Sequence, residues 1–205
     1  MSDETRIELL NEDGIGLYVD CQWQVDRFVH IIGLQANNQT FPILRSHEDQ
    51  SDEFWPSSPP LQQLSKQLMD EGPVLLGLGM AGKNHFSTSF LLRNDSAVEL
   101  LVESACSLHA ATIEENRGTE SLGTAYDLQP GAGMQLSAAN DITFELDSAE
   151  VSGSTSLTVH RGSLGEISQS EESSLRIHPT EIITEKPTQW SYRFILRSGD
   201  VSNSV

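Results

Sequence analysis

Alternation of apolar and polar side chains constrains this chain more than any other feature of its sequence. Between Ile15 and Val25 every second residue is apolar, and the residues between them are mostly polar. Successive side chains of a strand point to opposite faces, so this segment predicts a long strand with one buried face. The same pattern recurs at 28–34, 86–92, 98–106, 122–128, 142–146 and 190–196.

Turn-forming residues separate these segments. Asp13-Gly14 precedes the first long strand, and Asn94-Asp95-Ser96 lies between two others, which predicts a hairpin there. We therefore predict an all-β, mainly antiparallel fold of about ten or more strands, arranged as a β-sandwich or a distorted barrel. Residues 6–35 are predicted to form an N-terminal meander.

Residues 45–73 interrupt the alternation. Prolines and acidic residues at 45–60 predict an exposed loop or a crossing connection. Leucines at helical spacing then follow Pro59-Pro60 and end before Gly72-Pro73, which predicts one short helix at about 61–71. We expect its apolar side to pack on a sheet.

The organisation predicted from this pattern is one β domain spanning 1–205. It contains the meander, the loop, the helix, a β-rich remainder at 74–197 and a disordered tail at 198–205. Two small β domains joined near 45–73 are the alternative. One domain is favoured because a meander of about 35 residues would bury too little apolar surface alone.

Charge limits the classes of partner. Twelve basic and thirty acidic residues give a formal net charge of −18, so nucleic acids and anionic membranes would be repelled. No basic, apolar leader and no apolar run of roughly 18 residues is present, so we expect a cytoplasmic protein without a membrane span. Cys21 and Cys106 are expected to be reduced and buried, a bridge between them being the alternative.

One formal motif occurs, a Gly-x-Gly-x-x-Gly pattern at Gly77–Gly82. In a dinucleotide-binding fold the last glycine opens a helix that holds the pyrophosphate. Here an alternating segment rich in Ser, Thr and Phe follows, which is typical of a strand. We therefore interpret the glycines as a bend where the strand passes close to another backbone, or as a bulge next to a hairpin.

The same stretch is nevertheless the first candidate for a ligand site. Small residues are combined there with a cation, an amide and an imidazole, which together offer hydrogen-bond donors to a ligand. The candidate ligand-binding residues are Gly79, Gly82, Lys83, Asn84 and His85.

Two further segments contain residues that are candidates for contact with a partner or a cation. Phe54 and Trp55 lie in the Pro-rich loop and are candidate partner contacts if exposed, or a loop anchor if buried. The acidic run at 47–53 is interpreted as a solvated loop, with weak binding of Ca²⁺ or Mg²⁺ left open.

The scattered histidines and aromatic residues point to the core. No histidine pair has the spacing of a metal motif, and we predict no metal and no cofactor. Trp23 and Trp190 lie on apolar strand faces and are predicted to be buried, and His30 is predicted to be a hydrogen-bonded histidine in the core or at a sheet edge.

No coherent catalytic set is visible, and whether the chain is an enzyme stays open. The favoured hypothesis is a non-catalytic β-sandwich that binds a protein partner or associates with itself. The alternative is a small-molecule-binding or enzymatic β protein that uses the Gly-rich loop 77–85.

Overall fold

Fifteen strands make up almost all of the regular structure that the computed structural model describes. The described residues are 3–48, 55–109, 122–136, 141–146, 155–171, 173–183 and 185–198. In chain order the strands are β1 Arg6–Leu10, β2 Ile15–Gln24, β3 Arg27–Ala36, β4 Gln39–Ser46, β5 Gln63–Met69, β6 Gly72–Ala81, β7 Asn84–Asn94, β8 Val98–Ser107, β9 Thr124–Leu128, β10 Ala132–Leu136, β11 Ile142–Leu146, β12 Thr155–Arg161, β13 Gly165–Glu171, β14 Ser174–Pro179 and β15 Thr188–Ser198. A single 3₁₀ turn, Asp3–Thr5, precedes them.

The strands form two antiparallel sheets that pack face to face. The seven-stranded sheet has the order β1-β2-β3-β4-β9-β14-β13, and the eight-stranded sheet has the order β10-β11-β12-β15-β8-β7-β6-β5. The predicted all-β, antiparallel sandwich is thus confirmed. The predicted hairpin across Asn94-Asp95-Ser96 is β7 paired with β8.

The predicted helix at about 61–71 is wrong. Residues 63–69 are the edge strand β5, which pairs with β6 through a tight turn at Asp70-Glu71. The leucines do not share one face, because Leu61 is fully buried whereas Leu68 is 84% exposed. A short apolar pattern does not separate helix from strand by itself, and here pairing with β6 determines the structure.

The apolar sides of the two sheets enclose one core. Alternate residues of each strand point inward, as the sequence pattern predicts. The core includes Leu17, Val19, Ile32, Leu34 and Leu44 from one sheet and Phe90, Leu92, Leu100, Val102 and Phe194 from the other. Trp190 is buried as predicted, but Trp23 is 54% exposed because it lies at the hairpin end of β2, where Phe28 packs edge-on against it.

A crossing segment at 55–62 links the two sheets. The Phe28 amide on β3 donates to the Leu61 carbonyl at 2.6 Å, and the Gln62 amide donates to the Leu78 carbonyl on β6 at 2.7 Å. Ala125 on β9 exchanges further hydrogen bonds with Ser57 and Ser58. The Pro-rich segment was predicted to be an exposed loop or a crossing connection, and residues 55–62 form a crossing connection.

Polar side chains also join the sheets inside the core. His30, on β3, is buried, which is the first of the two predicted placements, and its Nε2 lies 2.9 Å from the Tyr126 hydroxyl. That hydroxyl lies 2.6 Å from the hydroxyl of Tyr192 on the opposite sheet. Close by, Trp190 Nε1 donates to Thr124 Oγ1 at 3.0 Å. Such directional contacts fix how one sheet lies on the other.

Candidate functional site

The glycine run Gly77–Gly82 lies in β6 and the turn that follows it, not before a helix. A Cβ at Gly79 would overlap the carbonyl oxygen of Pro60, and one at Gly77 would lie 2.8 Å from the Leu61 side chain. The glycines therefore let the crossing segment pass directly over β6. This agrees with our interpretation of the motif as a close backbone approach and leaves no helix to hold a pyrophosphate.

The other predicted ligand residues do not converge on one point. Gly82 and Lys83 form the two-residue turn between β6 and β7, and Gly82 has a φ of 57°, which suits the first position of a type II′ turn. Lys83 and His85 are exposed. Asn84 is fully buried, and its Oδ1 accepts a hydrogen bond from the His109 amide at 3.0 Å, so it stabilises the local backbone.

The Pro-rich loop gives no exposed aromatic patch within the described residues. Trp55 is only 6% exposed, so it anchors the crossing segment and is unsuitable as a partner contact. Proline and serine neighbours are buried with it, so the segment packs against the sheets and does not expose the indole. Phe54 lies outside the described residues.

The acidic run at 47–53 is not simply a solvated loop where the structure describes it. His47 Nδ1 lies 2.9 Å from a carboxylate oxygen of Asp127 on β9. Glu48 is largely buried and accepts a hydrogen bond from Ser46 Oγ at 2.9 Å. Burial raises the pKa of its carboxyl group to about 7. Residues 49–53 lie outside the described part.

A broad groove lies on the outer face of the eight-stranded sheet. Its two contiguous parts have cavity volumes of about 490 Å³ and 460 Å³. The side chains on its floor lie at outward positions of five adjacent strands, from β5 to β15. We call this feature the outer groove.

The strand register places the floor residues of the outer groove in two rows. One row runs Ser65, Leu76, Ser89, Glu103, Ser191 and the other runs Gln63, Leu78, Ser87, Ala105, Gln189. Short Ser and Ala side chains occupy most of the centre, so the floor is recessed. Leu164, from the β12–β13 connection, lines the larger cavity, and His85 with Met80 lines the smaller one.

The chemistry of the outer groove is mostly uncharged. Hydroxyls and amides both donate and accept hydrogen bonds. The exposed side chains of Leu78, Met80 and Leu164 add apolar surface. Glu103 is the one charged residue among those lining the larger cavity. This mixture suits a ligand with both peptide-like polar groups and apolar side chains.

Two of the candidate ligand residues named from the sequence line the outer groove, whereas most of its other lining residues were not singled out. His85 and Gly79 line it, but Ser87, Ser89, Ala105 and Ser191 were treated only as the polar side of alternating strands. A signal was present in the sequence. The outward positions of these neighbouring strands carry small residues, where large charged side chains are common on a solvated face.

A histidine–carboxylate pair lies in the row next to the outer groove. His160 Nδ1, on β12, is 3.0 Å from Asp141, and its Nε2 has no hydrogen-bond partner among the described residues. Such a carboxylate orients the imidazole, as in a catalytic triad. Within the described residues no serine, threonine or cysteine completes that arrangement.

Several other buried titratable groups lie between the two sheets. Burial lowers the pKa of His30 to about 3, so the imidazole is neutral at pH 7. Burial also raises the pKa of Tyr126 and of Tyr192 well above the usual value for tyrosine. Cys21 and Cys106 are free, buried thiols whose pKa values burial raises, which makes them poor nucleophiles.

Comparison with known proteins does not assign a family. No protein-family model matches the sequence, and no curated protein is significantly similar to it. In the part of the chain that the structure describes, no helix is long and apolar enough to cross a membrane. Nor do three or more His, Cys, Asp or Glu side chains cluster there as metal ligands would.

Proposed function

We propose that this protein is a non-catalytic interaction module that binds an extended segment of a partner protein in the outer groove. The observation that carries the proposal is the recessed floor formed by two rows of small and polar side chains across five strands. Strands in a sheet lie about 4.8 Å apart, so the floor is about 19 Å long. An extended chain of about six residues has that length.

The polarity of the outer groove supports a peptide segment as the ligand. Serine hydroxyls and the Gln63 and Gln189 amides complement peptide N–H and C=O groups, which lie on both sides of an extended chain. Leu76, Leu78 and Leu164 offer apolar contacts to side chains. Interfaces of this kind combine an apolar centre with satisfied polar groups.

A small-molecule ligand is the second candidate. The volume of the smaller cavity, about 460 Å³, lies within the range of ordinary ligand pockets. That cavity is lined by Gly79 and His85, two of the candidate ligand residues named from the sequence. Under this alternative a compact ligand fills the end near β6 and β7 and leaves the Ser191 end free.

Selection from a phage-displayed library of random heptapeptides tests the proposal. We expect the wild-type protein to enrich peptides that no longer bind Ala105→Trp, because the indole fills the centre of the floor. Thr40→Trp is the control, since Thr40 is exposed on β4 of the other sheet. Failure to enrich any peptide, or binding that Ala105→Trp leaves unchanged, would contradict the proposal.

A further inference from the structure

Glu103 lies on the floor of the outer groove, on the strand next to its middle strand β7, and its carboxylate forms no ion pair among the described residues. It lies on β8, between Ser89 of β7 and Ser191 of β15 in the register of the sheet. Among the described side chains, none forms an ion pair with it within 4 Å. Arg193, at the next outward position of β15, is exposed and also forms no such pair.

Several other carboxylates of the described residues are matched to a basic side chain. Glu99, on the same face of β8, lies 2.7 Å from Arg93. Asp127 is paired with His47, and Glu166 lies 3.4 Å from His178. Glu103 thus differs from Glu99 on the same strand face, because Glu99 is ion-paired whereas Glu103 forms no ion pair among the described residues, although Arg193 is its diagonal neighbour on β15.

From this difference we infer that the outer groove takes a segment with a lysine or arginine, whose cationic group pairs with Glu103. The inference rests on the proposed function and names the chemistry of the ligand. A neutral segment that covered Glu103 would remove water from a carboxylate without replacing it, which is costly. A cationic group compensates for that loss through a charge-assisted hydrogen bond.

The surroundings of Glu103 suit a long basic side chain. Leu76 and Leu78, on β6, lie across β7 from β8 and offer apolar surface to an aliphatic stem. The hydroxyls of Ser89 and Ser191 flank the carboxylate and provide further acceptors. The net charge of −18 attracts basic segments and repels acidic ones.

The test compares two tripeptides by NMR titration of the whole chain at low ionic strength. The probes are acetyl-Leu-Lys-Leu-amide and its Nε-acetyl-lysine counterpart, which differ only in the cationic charge. We expect the lysine peptide to bind the wild-type protein about fivefold more tightly than the acetylated peptide. Glu103→Gln should remove that preference, whereas Asp13→Asn, which removes one exposed charge in the β1–β2 turn, should retain it.

Each other outcome overturns the inference. Equal affinity of the two peptides for the wild-type protein, a preference that survives Glu103→Gln, or no binding of the lysine peptide would do so. Ala105→Trp separates this from failure of the proposed function. If both peptides bind equally and both lose binding to Ala105→Trp, only the cation preference is wrong; if Ala105→Trp has no effect, the outer groove is not the site.

Discussion

The hydroxyl oxygen of Tyr126, on the seven-stranded sheet, lies 2.6 Å from the hydroxyl oxygen of Tyr192, on the eight-stranded sheet. Both side chains are fully buried, so this hydrogen bond joins the sheets in the middle of the core. It also connects to His30, whose Nε2 lies 2.9 Å from the Tyr126 hydroxyl. The packing of the two sheets is therefore held by directional as well as apolar contacts.

Loss of the Tyr126 hydroxyl should destabilise the protein. Tyr126→Phe leaves the His30 imidazole and the Tyr192 hydroxyl each without this buried partner, which costs about 1–3 kcal/mol in the free energy of unfolding. Urea denaturation measures that change. Tyr192→Phe and the double variant complete a double-mutant cycle. We expect the sum of the two single losses in the free energy of unfolding to exceed the loss in the double variant. Strictly additive losses would show that the hydroxyls do not interact.

His30 should make the protein less stable in acid. Burial lowers its pKa to about 3, whereas the imidazole of the unfolded chain takes up a proton below about pH 6.5. Because the unfolded state binds the extra proton, the free energy of unfolding falls as pH decreases from 6.5 toward 3. The loss is about 2 kcal/mol at pH 5. Denaturant melts of His30→Gln should lack this decrease in the free energy of unfolding. The same dependence of that free energy on pH in both proteins would refute the prediction.

Glu48 should make the protein less stable as pH rises, which is opposite to the effect of His30. Burial raises its pKa to about 7, while the carboxyl of the unfolded chain ionises near pH 4.5. The folded state therefore holds the proton that the unfolded state loses, and the free energy of unfolding falls as pH rises from 4.5 to 7. The loss is of the order of 3 kcal/mol.

Glu48→Gln tests this prediction with Glu12→Gln, in an exposed turn, as its control. The Glu48 variant should gain stability relative to the wild-type protein as pH rises to 7, and the control should not. His30 and Glu48 oppose each other between about pH 4.5 and 6.5, so the wild-type curve alone conceals both effects. A Glu48 variant that follows the wild-type curve would contradict the prediction.

Gly79 should tolerate no larger residue. In Gly79→Ala the new methyl group meets the Pro60 carbonyl oxygen, which is backbone, so a strand must move at a cost of about 1–3 kcal/mol. Gly77→Ala is a matched control, because its methyl group meets side-chain atoms of Leu61 at 2.8 Å, which can shift more readily than a backbone carbonyl. Thermal melts should rank Gly79→Ala well below Gly77→Ala. Equal melting temperatures would mean that the close approach does not constrain β6.

The fold class was predictable because alternation over long strands is determined locally. Strands such as β2 and β7 carry it over ten residues or more, and their inward positions fill the core. The segment at 61–71 was not predictable in the same way. Its leucines match a helical period, but its structure depends on pairing with β6, which lies beyond any local pattern.

The candidate site was less predictable, for a related reason. The outer groove is made by register, which brings Ser65, Ser89 and Ser191 into one row from strands far apart in the chain. Each of these serines is unremarkable in its own strand. The Gly-rich stretch, which was the first candidate for a ligand site in the sequence, lets the crossing segment pass over β6.

The most direct test of the account is a map of backbone amide shifts as acetyl-Leu-Lys-Leu-amide is added to the ¹⁵N-labelled chain. If the outer groove binds the segment through Glu103, saturable shifts should concentrate at 63–65, 76–78, 87–89, 103–105 and 189–191. They should vanish in Ala105→Trp. Saturable shifts confined to another surface, such as the outer face of the seven-stranded sheet, or no shifts at all, would contradict the account.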